Sequence, residues 1–368
     1  MPQLMERLAD DAIALLQRLI QTPSYSREEA ETAELIFSFL QQHGVAPQRS
    51  GNNVWARSKH WQPGRPAVLL NSHHDTVKPG PSWTADPFGA TVEGDKLTGL
   101  GSNDAGASAV ALLASFLYFE EVGGLAFNLI CAITAEEEIS GPNGIASLLP
   151  QLGNIDLGIV GEPTQMALAV AEKGLVVIDG TAHGRTGHAA RDEGDNALYR
   201  ALDDVQKLRN FQFPNASPTL GPVKLTVTQI AAGTQHNVVP DRCTFVIDVR
   251  TNELYSNTEV VEILRREVDS DLVPRSLRLN SSGIAAGHPV VQRARALGWR
   301  TFGSPTLSDQ ALMPFDTVKI GPGDSARSHT PDEYILLSEI RAGLAGYIEL
   351  LRGLQLQIYE NLGKRHRR

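Results

Sequence analysis

The chain has 368 residues, long enough for two domains and a sizeable core. Its formal net charge of -9 excludes the basic surface that non-specific binding to nucleic acid or an anionic membrane requires. With 42% apolar and 20% charged residues it has the composition of an ordinary globular protein, and Cys131 and Cys243, in separate strand-like stretches, read as buried free thiols of a reduced compartment.

From the N-terminus, Leu4, Leu8, Ile13, Leu15, Leu16, Leu19 and Ile20 recur at roughly helical spacing with acids between them, which predicts a first core helix and not a secretory signal. No run of 18 apolar residues predicts a membrane span, so a cytoplasmic location is the default expectation. A helix over 28–43 precedes the strand candidates "NNVWARS" and "AVLLNSHHDTV". A helix over 105–119 leads to the strand "LAFNLICAITA", a short helix near 142–150 and the strand "LGIVGEP". That alternation predicts an α/β layer structure with a central, mostly parallel sheet flanked by helices.

From about residue 167 the rhythm changes to strand, helix, two strands, helix, strand, the β-α-β-β-α-β order of a ferredoxin-like α+β lobe. The remainder returns to the earlier style. The expectation is therefore a discontinuous catalytic domain, 1–166 and 285–368, interrupted by an inserted lobe, 167–284. The dense basic cluster Lys364-Arg365-His366-Arg367-Arg368 reads as a frayed tail.

Polar residues at the carboxyl ends of strands in an α/β sheet lie where ligands bind. In "LLNSHHDTV", alternation along the strand points His73 and Asp75 one way and His74 the other, so His73 suits a metal ligand with Asp75 as its orienting acid. "CAITAEEEISG" presents Glu136, Glu137 and Glu138 just past a buried strand, where three like charges repel unless a cation is near. Asp104 in "GLGSNDAGAS" stands before a helix and either caps it or joins the cluster; Glu162 in "GIVGEPT" follows another apolar strand; His329 lies in "GPGDSARSHTPDEYI", with Asp332 and Glu333 just behind. Together they supply mixed N/O ligands suited to zinc, or to cobalt or manganese.

At this point the chain resembles the dinuclear-zinc amidohydrolase and metallopeptidase family that includes acetylornithine deacetylase, succinyl-diaminopimelate desuccinylase, aminoacylases and glutamate carboxypeptidases. The resemblance rests on "SHHDTV", "GSNDAGAS", "TAEEEISG", "VGEPT", "GRTGHAA", "HNVVPDRCTFVIDVR" and "GPGDSARSHTPDEY", in the family's order along essentially the whole chain. It implies two Zn ions. His73 and Glu162 would be terminal ligands of one, Glu138 and His329 of the other, with Asp104 bridging them, Asp75 orienting His73 and Glu137 as general base. Glu136 stands where the family often has aspartate. The resemblance also implies a homodimer through the inserted lobe, with His188 supplying an oxyanion donor to the partner's site, and substrate contacts from Asn237, Arg250 and Lys173.

The implied substrate is a small N-acylated amino acid, with no nucleic acid or membrane partner. "HTPDEY" resembles acetylornithine deacetylases, which leads to deacylation in arginine biosynthesis as the first expectation; "SPTLSDQALMP" departs from that pattern. Succinyl-diaminopimelate desuccinylase or a dipeptidase is the alternative within the enzyme class, and a catalytically silent amino-acid-binding homologue the alternative outside it.

Overall fold

A computed structural model describes residues 2–191 and 193–356, so the basic cluster at 364–368 lies outside the described residues. The described residues form two compact units: 2–170, Ile284–Phe302 and 308–356 in the first, and those within Ala171–Gly283 and Gly303–Leu307 in the second.

The first unit opens with α1 (Pro2–Ile20), which buries Leu8, Leu15, Leu16 and Leu19 along one stripe, as their spacing predicts. There follow α2 (Ala30–Gln42), β1 (Gln48–Ser50), β2 (Asn53–Arg57), β3 (Ala67–His73), β4 (Thr91–Glu93), β5 (Lys96–Thr98), α3 (Ala107–Val122), β6 (Asn128–Thr134), α4 (Ile145–Leu152), β7 (Leu157–Val160) and β8 (Leu168–Glu172). Every residue of β3 and β6 is buried, because both faces of their sheet are covered; that is why they read as unbroken apolar runs with polar ends. Residues Ala107 to Glu120 of α3 are buried all round, and the helix packs against α1. By length and composition the stretch Ser102–Val122 could cross a membrane, contrary to the sequence expectation, but 89% of its most apolar window is buried inside the protein. An all-round apolar helix of this kind belongs to a core.

The second unit comprises β9 (Gly174–His183), β10 (Gly187–His188), α5 (Ala197–Asn210), β11 (Lys224–Ala232), β12 (Val238–Val239), β13 (Arg242–Thr251), α6 (Asn257–Glu267), β14 (Asp271–Pro274) and β15 (Ser282–Gly283). Four of these strands make an antiparallel sheet in the order β11-β13-β9-β14. Alternation decides its inner face: Cys243, Phe245, Ile247 and Val249 of β13 are buried with Ala201 and Leu208 of α5 and Val260 and Leu264 of α6. Both cysteines of the chain are free and buried.

After the second unit come α7 (Pro289–Ala296), β16 (Thr301–Ser304), β17 (Thr317–Lys319), β18 (Tyr334–Leu336) and α8 (Leu337–Arg352), which packs on α3 and α1. The main sheet runs β1-β2-β6-β3-β7-β17-β8. Only its centre, β6-β3-β7-β17, is parallel; the β1–β2, β2–β6 and β17–β8 pairs are antiparallel. The sheet is thus mixed, which corrects the mostly parallel expectation. One cause is plain: residues 58–66 joining β2 to β3 are too few for the helical crossover that a parallel neighbour requires.

Candidate metal centre

The carboxyl ends of β3, β6 and β7 open on one side of the sheet, and each carries an ionisable residue there. His73, the last residue of β3, is fully buried; its Nδ1 lies 3.0 Å from the Asp75 carbonyl and 3.4 Å from Asp75 Oδ1. His74 turns the other way. Its Nε2 donates to the Asn52 carbonyl at 2.9 Å and its Nδ1 meets the Thr32 hydroxyl at 2.8 Å, while burial depresses its pKa to about 4, so it is a neutral, internally satisfied residue. His73 Nε2 is different: it is buried and has no hydrogen-bond partner. Asp104 Oδ1 stands 3.3 Å from it, Glu137 Oε2 3.8 Å and Glu162 Oε1 3.8 Å. The second oxygen of Asp104 lies 3.6 Å from His329 Nε2, which is 3.0 Å from Glu138 Oε2. One oxygen of Asp104 therefore faces each histidine.

Asp104 sits in the tight loop between β5 and α3. Gly101 opens that loop at φ +72°, and a Cβ there would stand 2.6 Å from the Thr76 methyl, so only glycine fits without displacement. The carboxylate of Asp104 does not cap α3, whose N-terminal residue receives no side-chain cap; it faces the histidines instead. Three amides of the loop, those of Gly101, Asn103 and Asp104, donate to the buried carboxylate of Glu333 at 3.0, 2.8 and 2.9 Å.

The order of the three adjacent glutamates is decided by what holds their backbone. Glu136 has φ +57°, its amide donates to Glu29 Oε1 at 3.3 Å, and its own carboxylate accepts from the Asn143 amide and side chain at 3.1 and 2.8 Å. It is a structural residue turned away from the cluster. The amides of Glu137 and Glu138 donate to the two oxygens of Asp75 at 3.0 and 3.2 Å, and Ser26 Oγ donates to Asp75 at 2.7 Å. Asp75 thus fixes His73 and also aims both glutamates, a second task its place in "SHHDTV" does not announce.

Electrostatics point the same way. Burial, reinforced by Glu162, Asp309 and Glu138 and opposed by His73, holds the Glu137 pKa well above the usual carboxylate range. Burial and Asp104 push Glu162 up to about 8, and burial also raises Glu138. For His73, burial alone would depress the pKa, but Glu137, Asp104, Asp75 and Glu162 outweigh it and raise it well above normal. The Glu138 hydrogen bond lifts His329 to about 9. Although burial opposes it, Asp104 is held below its ordinary value, chiefly by its contact with His73; the upward shifts of the other groups reflect crowded negative charge, the demand a bound cation would meet instead. Two sets, His73/Asp104/Glu138 and His73/Glu137/Glu162, each bring their donor atoms within 4.8 Å of one another. An unpartnered imidazole nitrogen facing carboxylate oxygens fits divalent cations with mixed N/O preference.

Four further residues named from the sequence lie in the second unit. His188 is exposed on β10, opposite Val238 of β12, and its Nδ1 accepts from the Ala190 amide at 3.1 Å. Asn237 accepts from the Ala189 amide through its carbonyl at 3.0 Å. Arg250 forks onto its neighbour Asp248 at 2.8 and 3.1 Å, so its guanidinium already has a carboxylate partner within its own sheet. Lys173 donates to the Pro222 carbonyl at 3.3 Å; partial burial, with Lys224 and Arg250, lowers its pKa. Missed from the sequence were Ser26, Glu29 and Asp309, and the use made of Glu333. Asp309 is buried, accepts from Thr134 Oγ1 at 2.9 Å and adds to the charge felt by Glu137. The polar "LSDQ" stretch was visible but carried no metal-site spacing.

The model of peptidase family M20/M25/M40 matches residues 69–353, and the chain belongs to that family of hydrolases. It is 27% identical to succinyl-diaminopimelate desuccinylase 2 of Ruegeria sp. (strain TM1040), covering 94% of this chain and 95% of that protein. The succinyl-diaminopimelate desuccinylase of Delftia acidovorans is also 27% identical, over 94% of this chain and 98% of its own length. Among solved structures, the YXEP protein of Bacillus subtilis, described as a dinuclear metal binding peptidase from the M20 family, shares the fold at a TM-score of 0.74 and 16% identity, covering 94% of this chain and 98% of that one.

Proposed function

We propose that this chain is a two-metal amidohydrolase that removes an acyl group from the nitrogen of a small amino acid, with N-succinyl as the first candidate. The observation that carries the reading is the buried His73 Nε2, without a hydrogen-bond partner and ringed by carboxylate oxygens at 3.3 to 3.8 Å. The acyl preference follows the two desuccinylases to which the chain is similar. It replaces the acetylornithine-type activity and arginine biosynthesis that "HTPDEY" alone put first.

His73, Asp104 and Glu162 would hold one cation and Asp104, Glu138 and His329 the other, with zinc the best match and cobalt or manganese as substitutes. When bound, a pair of divalent cations supplies Lewis acidity that polarises an amide carbonyl and lowers the pKa of water. Glu137 takes the proton of the attacking water at its carboxylate and delivers it to the departing nitrogen. Asp75 keeps His73 and Glu137 in the geometry this transfer needs. His188, acting on a partner subunit, is assigned the oxyanion donor role, and Asn237, Arg250 and Lys173 the anionic ends of the substrate. A dimer through the second unit is supported by β11, an edge strand exposed along most of its length that carries Ile230 at 46% exposure.

The test is metal analysis followed by a kcat/KM panel of N-succinyl and N-acetyl forms of diaminopimelate, ornithine, citrulline and lysine. The expected result is two equivalents of metal and highest efficiency with an N-succinyl substrate. Protein that binds no divalent cation and releases no amine after zinc addition would leave the silent binding homologue as the better reading. Preference for N-acetyl substrates would restore the acetylornithine-type reading.

A further inference from the structure

The loop bearing Asp104 and the loop bearing His329 are far apart in the chain, yet their side chains approach to 3.6 Å. Hydrogen bonds within the Asp104 loop do not explain how that separation is set. Two residues join them: Asn103, whose side chain donates to the Asp324 carbonyl at 3.1 Å and to Ser328 Oγ at 3.3 Å and accepts from the Asp324 amide at 3.0 Å, and Glu333, which alone grips the backbone amide of Asp104 itself. Glu333 is buried at 2% exposure and lies four positions after His329. Its backbone carbonyl accepts from the Gly99 amide at 2.9 Å, extending the ladder of β18 with β5, in which Tyr334 faces Thr98. Its side chain then turns under the next stretch of the same loop. Oε1 accepts from the amides of Asn103 and Asp104, and Oε2 from that of Gly101.

We infer that Glu333 is a positioning residue that locks the Asp104 loop to the His329 loop and so sets the geometry of the second cation site, the one formed by Asp104, Glu138 and His329. The inference rests on the two-cation reading above. A carboxylate is the one side chain whose two oxygens can take three converging amides, and its negative charge makes each bond shorter and stronger than a neutral acceptor would. The carboxamide of glutamine keeps one such oxygen and turns an N–H₂ toward a donor. A three-amide grip also spares Asp104, whose own two oxygens stay directed at His73 and His329. Neighbouring Asp332 holds a different segment, accepting from Thr84 and the Ala85 amide, so the two acids of "PDEY" have separable tasks.

The test is titration of metal-free wild type, Glu333→Gln and Asp332→Asn with cobalt(II) alone, followed by absorption of the bound ion, with thermal melts run alongside. Support requires that Glu333→Gln weaken the second equivalent about 10–100-fold and the first, which shares Asp104, by clearly less, and that Asp332→Asn change neither. Equal weakening of both equivalents, no weakening, or the same loss in Asp332→Asn overturns the inference. If Glu333→Gln does not fold, hydrogen exchange of the metal-free wild type decides. Slow exchange at Gly101, Asn103 and Asp104 supports the clamp, and exchange at open-loop rates rejects it. Wild type that binds no cobalt refutes the functional reading itself; two cobalt ions in wild type with an indifferent Glu333→Gln refutes only the clamp.

Discussion

Asp204 in the second unit and the Glu137/Glu162 pair in the first are buried carboxylates treated in opposite ways. In the second unit Asp204 of α5 is 2% exposed, and its oxygens accept from the amides of Asp269 and Ser270, the Ser270 hydroxyl and Lys207 Nζ at 2.6 to 3.2 Å. Although burial opposes it, these donors hold its pKa below the ordinary value. In the first unit Glu137 and Glu162 face other acids, and their pKa values rise. A buried anion must be compensated. Asp204 is compensated by donors of its own unit, as Asp75 and Glu333 are in the first, whereas Glu137 and Glu162 are left facing like charges, the demand a bound cation would meet.

That contrast is best broken at its centre. Glu137→Gln keeps size and shape but removes the proton acceptor, and kcat should fall about 10²–10⁴-fold with two metals still bound, measured by steady-state kinetics beside metal analysis. Retained kcat would remove Glu137 from the reaction. Next in size, stripping the metal with a chelator should lower the stability of the first unit by about 3 kcal/mol if the cation was present at a hundred times its Kd. Hydrogen exchange should quicken around Asp104 and Glu138 and stay unchanged in α5; an equal change in both units would dissolve the distinction.

Asp204→Asn tests the other side. Losing a charge-assisted buried network should destabilise the second unit by about 1–3 kcal/mol without altering metal content, read by denaturant unfolding and metal analysis. The pH sign follows from the depressed pKa. An unfolded aspartate titrates near 3.8, so the contribution is complete above that value and is lost as pH falls toward the folded pKa. A wild-type melt flat across that acidic range would contradict it. Smallest of all, Arg275→Ala removes an exposed pair with Asp179, side chains 54% and 48% exposed, and should leave the melting temperature nearly unchanged because water already screens both charges.

The sequence alone determined the α/β character of the first unit, the β-α-β-β-α-β order of the second, and the placing of acids and histidines at strand ends. These are local matters: alternation and helical spacing record which face of an element is buried, and strand ends fall where apolar runs stop. Only the tertiary structure decided that the sheet is mixed, that Glu136 turns away while Glu137 and Glu138 turn in, and that His74 is satisfied by Thr32 and Asn52. It also supplied Ser26, Glu29 and Asp309, and the use made of Glu333. The physical reason is distance along the chain: the amide of Asp104 meets its acceptor 229 residues later, and no spacing rule connects two residues that only packing brings to 2.9 Å.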